Sequence, residues 1–233
     1  AGRAGERGAR VLLLEKNKQL GLKLLASGGG RCNFTNRQAD QKATINAYGK
    51  NYKFLFSAFS KFGVSETIDF FANLGVIAKE EDRGRVFPRS DKAGDIREAL
   101  IKYLKQGDVE MKLGVEVEKM VAVGDKITKT ILTHGQEFLA KNFIIATGGK
   151  SYPETGSSGS GYEWLESLGH KIITPRPTLT PIVVKNKIVK ELEGLSLEDI
   201  GISVYQNNKK IMNRVGEFIF TADGLSGPAV IDL

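Results

Sequence analysis

The sequence predicts a mixed α/β chain: a parallel sheet first, a β-meander after it, and a mainly β segment to close. Three observations carry that reading. The run Val11-Leu12-Leu13-Leu14 is apolar without alternation and stops at Glu15, the pattern of a parallel strand buried on both faces. Helical spacing of apolar residues then gives way, over residues 109–139, to short β-rich runs separated by turn residues. Beyond Lys171, Pro175, Pro177 and Pro181 remove helix potential and short strand patterns take over. This places a domain boundary near Ile173, with residues 1–172 as one domain and 173–233 as part of a second.

At 233 residues the chain can hold one large domain or two small ones. Thirty-four Lys plus Arg against 27 Asp plus Glu give a net charge of +7. The charge is spread out, with no dense Lys/Arg tract interleaved with aromatics, so a small-molecule substrate is expected and a nucleic-acid partner is not. The lone cysteine, Cys32, excludes an internal disulfide framework and suits a reducing compartment. No apolar run approaches the roughly 20 residues of a bilayer span, and no signal-peptide pattern opens the sequence. The expected setting is cytoplasmic, without a membrane partner. His134 and His170 both fall near turns and a single cysteine cannot build a zinc cluster, so no metal site is expected.

Residues 1–10 read as the last turns of a helix closed by Gly8. In a dinucleotide-binding βαβ unit that helix follows a first strand and a G-x-G-x-x-G turn, so the sequence is expected to begin inside such a unit. Glu15 then stands where a strand-end carboxylate accepts hydrogen bonds from a ribose diol; the alternative is a solubilising acid. In Ser27-Gly28-Gly29-Gly30-Arg31-Cys32-Asn33, three glycines permit close backbone approach to a ligand and Arg31 offers a fork of donors. Arg31 is also expected to lower the pKa of the Cys32 thiol, which reads either as a ligand contact or as a small buried filler.

Residues 38–49 are polar and read as a loop. Two helical segments follow over 52–75. Phe54, Phe56, Phe59 and Phe62 in the first read as core or as the lining of a ligand site; in the second, Ser65 is the expected cap, Ile68, Phe71 and Leu74 share a face, and Gly75 ends it. A strand over 76–80 and a turn at Asp82-Arg83-Gly84 precede Arg85, a solvated turn residue or a ligand contact. Asp91 is expected to open a helix over 92–106 that buries Ile96, Leu100, Tyr103 and Leu104. After the meander, residues 142–146 read as a buried strand running into Thr147-Gly148-Gly149. Gly149-Lys150-Ser151 is not a P-loop, because position 144 is Ile where that motif requires glycine. Gly156, Gly159 and Gly161 lead into a helix over 162–168 that Gly169 ends. In the last segment, strands are expected over 182–184, 201–205, 210–213 and 217–221, with a hairpin turn at Asn207-Asn208.

Several blocks recur together: Glu15-Lys16-Asn17; Lys23-Leu24-Leu25; Ser27 through Asn33; Gly84-Arg85-Val86-Phe87-Pro88 with Ser90-Asp91-Lys92-Ala93; Ala146-Thr147-Gly148-Gly149 with Ser151, Pro153, Thr155 and Gly156; and Phe220-Thr221 with Gly224-Leu225-Ser226-Gly227-Pro228. In this order they resemble the BaiN-like, or aminoacetone oxidase-like, FAD-dependent oxidoreductases over nearly the whole chain. The resemblance implies a Rossmann-like FAD-binding domain followed by part of a β-rich second domain, FAD as cofactor, and NAD(P)H as the donor of a hydride passed to an organic acceptor or oxygen. It also implies cofactor-binding roles. Glu15, beside Lys16, would hold the adenosine ribose and Val117 the adenine. Ser27, Gly28, Gly29, Gly30, Arg31, Cys32 and Asn33, with Thr147, Gly148 and Gly149, would hold the pyrophosphate and flavin. The family has an acid where this chain has Ser160. Because a flavin carries redox chemistry itself, no catalytic dyad is required. The family's first strand and closing segments lie outside this sequence, so the alternative expectation is a truncated, non-catalytic scaffold or interaction fragment.

Overall fold

Short-range sterics set the first element. In the computed structural model, which describes residues 1–38, 41–46, 48–231 and 233, α1 (Gly2–Glu6) ends around Gly8 at φ +79°. The Gly8 N–H donates to the Gly5 carbonyl at 2.8 Å and the Ala9 N–H to the Ala4 carbonyl at 3.0 Å, a Schellman closure that glycine permits without strain. The chain continues through β1 (Leu12–Glu15), α2 (Leu22–Ala26), β2 (Thr35–Asn36), α3 (Gln41–Asn46), α4 (Phe56–Phe59), α5 (Val64–Asn73), β3 (Ala78–Glu81), β4 (Arg85–Pro88), α6 (Ala93–Gln106), β5 (Glu110–Leu113), β6 (Val117–Val123), β7 (Lys126–Leu132), β8 (Glu137–Leu139) and α7 (Ser160–Ser167). Further on come β9 (Ile182–Val183), α8 (Ile188–Glu191), β10 (Ser196–Gln206), β11 (Lys209–Thr221), β12 (Gly224–Ser226) and α9 (Pro228–Ile231).

The class is mixed α/β. β1 and β5 run parallel, with Leu12 opposite Glu110 and Glu15 opposite Leu113. The first run of the expected meander is therefore the partner of β1, and the antiparallel meander consists of β6, β7 and β8. β2, β4 and β3 form a further antiparallel sheet. The β1 residues are half-buried rather than enclosed on both faces, since β5 is the strand's one ladder partner among the described residues. A core of Cys32, Phe71, Val76, Ala93, Ile96 and Ala99 gathers α5 and α6 beside the glycine-rich turn. Ile96 is almost wholly enclosed, a burial worth about 2–3 kcal/mol.

Several expectations change. Residues 142–146 form no strand, and Ile144 is 78% exposed: this apolar segment has no ladder partner among the described residues. Part of the expected loop at 38–49 is helical, as α3; Ala39, Asp40 and Ala47 lie outside the described residues. The cap of α5 is Gly63, whose N–H donates to the Glu66 carboxylate at 2.9 Å, and Ser65 already lies within the helix. Asp91, at φ +57°, precedes α6 without capping it; Lys92 is the N-cap residue. Phe54, Phe56 and Phe62 are exposed rather than core. Their segment is a three-residue-per-turn helix, Gly49–Leu55, joined to the four-residue α4, so spacing chosen for a longer α-helix does not bring them onto one face.

The chain falls into two compact units, Ala1–Ile172 and Ile173–Leu233. In the second, β9, β12, β11 and β10 are neighbours in one antiparallel sheet. Asn207 and Asn208 take φ +51° and +59°, the left-handed pair of a tight hairpin. The two strands expected after that turn are one continuous β11, paired along β10 through two register irregularities. No helix among the described residues is long and apolar enough to cross a membrane.

Candidate functional site

The side chains of the Ser27–Asn33 block turn away from its open face and fasten it down. The Ser27 hydroxyl donates to the Leu24 carbonyl at 2.7 Å. Cys32, at φ +61°, points into the core and is 5% exposed. The Asn33 amide nitrogen, in the orientation that satisfies it, donates to the carbonyls of Val86 and Thr35 at 3.2 and 2.8 Å. Arg31 closes its fork on carboxylates: its Nε donates to Asp91 Oδ1 at 2.7 Å, and its terminal nitrogen pairs with Glu81. Its guanidinium carbon lies 4.1 Å from the centre of the buried Phe87 ring, a cation–π contact.

Lys79 completes a neutral quartet, with Nζ 2.6 Å from Asp91 Oδ2 and 3.0 Å from Glu81 Oε1. Glu81 and Asp91 are both held below the ordinary carboxylate range, first by their hydrogen bonds to Lys79 and then by those to Arg31. Arg31 is raised chiefly by Glu81 and then Asp91; Lys79 is raised by the same two acids, Asp91 first. The Cys32 thiol moves opposite to expectation. Desolvation raises its pKa, and the Ser27 hydrogen bond only partly opposes that. The adjacent Arg31 charge does not govern it, because the guanidinium is engaged elsewhere.

With the side chains committed to anchoring, the exposed surface of this loop is glycine backbone. Gly28, Gly29 and Gly30 all have positive φ, between +56° and +83°. A Cβ on Gly28 would come within 2.9 Å of the Asn33 nitrogen, whereas one on Gly29 would meet nothing within 4 Å. Gly29 therefore borders open space that a ligand can occupy.

Glu15 ends β1, and its Oε1 accepts the Asn17 N–H at 2.8 Å, which fixes the carboxylate at the strand tip. Lys16 Nζ donates to the Ser158 hydroxyl at 3.0 Å, and the Asn17 amide donates to the Thr155 carbonyl at 3.1 Å. Lys23 of α2 donates to the Ser151 carbonyl. The loop that follows Thr147-Gly148-Gly149 is thereby tacked both to the end of β1 and to the helix that leads into the glycines. Gly148 turns at φ +76° beside Ser157, and Gly161 leaves room for Thr147, whose Oγ1 would lie 2.2 Å from a Cβ there. Val117 begins β6 opposite Leu132, and its neighbour Val115 donates to the Glu15 carbonyl at 3.0 Å.

Sequence reading missed the anchors Lys79, Glu81, Asn17 and Ser158. Asp91 and Asn17 were visible within the motif blocks, but nothing local marks them as partners of residues up to 138 positions away. Arg85 is exposed, and its Nε donates to the Asp82 carbonyl at 3.1 Å. Together the set offers a strand-end carboxylate, an open glycine backbone and ammonium groups nearby. These suit a ribose diol and a diphosphate.

Comparison with known proteins finds relatives over nearly the whole chain. The model of the HI0933-like protein Rossmann domain family matches residues 1–227. The chain belongs to that family. Family relatives include a 3-dehydro-bile acid delta(4,6)-reductase of Clostridium scindens, 34% identical over 97% of this chain and 53% of the relative. A ribosomal RNA dihydrouridine synthase of Escherichia coli is 32% identical over 99% of this chain and 56% of the relative. One of the same name from Haemophilus influenzae is 30% identical over 97% and 55%. The chain thus spans about half the length of the curated relatives it matches. Among solved structures, Thermovibrio ammonificans THI4 matches with a TM-score of 0.45 at 14% identity, over 82% of this chain and 64% of that one.

Proposed function

We propose that the protein is a flavin-dependent oxidoreductase that holds FAD on the surface built by Glu15, the Gly28–Gly30 backbone and Thr147-Gly148-Gly149. The observation that carries this reading is the anchored glycine loop. Ser27, Arg31 and Asn33 hydrogen-bond to their surroundings, Cys32 packs into the core, and a Cβ on Gly29 would meet nothing within 4 Å. Glu15, already oriented by Asn17, accepts hydrogen bonds from the adenosine ribose. The glycine N–H groups and Lys16 meet the diphosphate, and the start of β6 at Val117 lies against the adenine. Arg31 acts through the loop, by holding Glu81 and Asp91. Bound FAD supplies the hydride chemistry. NAD(P)H is the donor in this reading, and the reduced, core-buried Cys32 suits a cytoplasmic setting.

The acceptor is a carbon–carbon double bond conjugated with a carbonyl. An unsaturated 3-dehydro-bile acid and the uracil ring of uridine share that feature, and relatives are named for reactions on each.

The test is a titration of the flavin-free full-length protein with FAD, followed by its visible absorption, and then anaerobic bleaching by NADPH or NADH. The wild type should bind and bleach. Glu15→Gln, which removes a charge-assisted acceptor worth about 1.5–3 kcal/mol, should weaken FAD at least about tenfold. Equal affinity of the variant removes the ribose role, and failure of the wild type to bind FAD removes the reading.

A further inference from the structure

The loop that follows Thr147-Gly148-Gly149 carries Ser157, Ser158 and Ser160 close together, and their hydroxyls are used differently. Ser158 accepts from the Lys16 ammonium at 3.0 Å and lies 3.3 Å from the Ser160 hydroxyl. Ser157 is the most buried of the three, 6% exposed, yet its hydroxyl has no hydrogen-bond partner among the described residues. A buried hydroxyl without a partner costs free energy that folding does not recover, and it calls for a partner from outside the chain.

The surroundings of Ser157 indicate the chemistry of that partner. Gly148, at φ +76°, adjoins the hydroxyl, and a Cβ there would lie 3.1 Å from Oγ, so the missing side chain leaves the hydroxyl uncovered on that side. The Gly148 and Gly149 N–H groups donate to no carbonyl among the described residues. Tyr162 brings a second hydroxyl, 3.4 Å from where a Cβ on Gly149 would stand. Ser157 is also held from both sides. The Asn17 amide donates to the Thr155 carbonyl at 3.1 Å and Lys16 binds Ser158, which keeps Ser157 where the end of β1 meets the glycine turn. The ion pair of Lys16 with Glu116 is long, 4.0 Å, and leaves the ammonium available. An ammonium, hydroxyls and unpaired glycine N–H groups in one place are a set of donors, the complement of an anion.

We propose that Ser157 is a cofactor-binding residue whose hydroxyl donates to the diphosphate of FAD. This rests on the flavin reading above, in which the ribose is held at Glu15 and the diphosphate crosses to the glycine turn; Ser157 stands at the junction of the two. The experiment compares Ser157→Ala with the wild type in the full-length, flavin-free protein. FAD is titrated by its visible absorption, ADP is titrated as a competitor that carries the diphosphate without the flavin, and melting temperatures are read with and without FAD. The variant should bind FAD about tenfold more weakly, and ADP more weakly by the same factor, as loss of one hydrogen bond to a charged group requires. Its flavin-free melting temperature should equal or exceed that of the wild type, because the hydroxyl removed had no partner in the fold, while the rise on adding FAD should shrink. Equal FAD affinity in the two proteins would overturn the proposal and leave the flavin reading standing; wild-type protein that takes up no FAD would defeat both. A loss for FAD with none for ADP would put the hydroxyl against the flavin half, and a lower flavin-free melting temperature would make it a structural group. Either result overturns the assignment to the diphosphate.

Discussion

Arg31 and Cys32 are neighbours with opposite fates. The guanidinium is held at the surface by Glu81, Asp91 and the Phe87 ring, while the thiol is driven inward, where desolvation raises its pKa. Alkylation of the native protein by iodoacetamide at mildly alkaline pH should therefore be slow and become fast on unfolding, as mass spectrometry would record; rapid native labelling contradicts this burial. The quartet has its own pH signature. The Asp91 and Glu81 pKa values are depressed, so their stabilisation is fully present above the ordinary carboxylate range, near 4, and is lost as pH falls through the lower folded values. Asp91→Asn keeps a residue tolerant of φ +57° but removes one titration. The variant should be less stable at neutral pH and lose less of what remains as pH falls below the ordinary carboxylate range, as acid-dependent denaturant melts would show. An unchanged acid slope would mean that the pairs are not formed in solution.

At the scale of elements, the turns give sharper tests than the sheets. Gly84 takes φ +71°, and a Cβ there would lie 2.0 Å from the Arg37 carbonyl oxygen. Arg37 also donates its N–H to the Gly84 carbonyl at 2.7 Å, joining the end of β2 to β4. Gly84→Ala should cost about 2 kcal/mol or more in a denaturant melt, because strain and clash act together. The Asn207-Asn208 hairpin is simpler, with two positive φ values and open solvent around it. Asn208→Val should destabilise the second unit by about 1–2 kcal/mol, whereas Asn208→Gly should be neutral or mildly stabilising.

Glycine signals made such turns legible in the sequence: Gly8, Gly75, Gly84 and Gly169 all take the left-handed conformations that their positions suggested. The segment at 142–146 was misread because an apolar run states a preference for a ladder without supplying a neighbour. Helical spacing misplaced Phe54 and Phe62 for a related reason, since periodicity assumes a helix long enough to have a face.

At the scale of the molecule, the proline-rich stretch after Lys171 has no regular structure until β9, and it spans the division between Ala1–Ile172 and Ile173–Leu233. We expect brief trypsin digestion to cut early after Lys171 and leave two protected fragments, resolved by mass; cleavage spread evenly through both units would argue against that boundary. The family assignment reaches across both units, to residue 227.

By itself the sequence determined the α/β class, the β6–β8 meander, the glycine-ended helices and the Asn-Asn hairpin. The helix ends and the hairpin are fixed by sterics and hydrogen bonds between residues a few positions apart, and the α/β class by the apolar pattern of its strands. The sequence also singled out the glycine loop and the strand-end acid, on which the proposed FAD site rests. Only the tertiary structure decided that Arg31 faces Glu81 and Asp91, 50 and 60 residues away, that Cys32 is core, and that Tyr48, Phe54, Phe56 and Phe62 face solvent. A charge takes whichever partner the fold brings to it, and an apolar side chain is buried only where another element arrives to cover it.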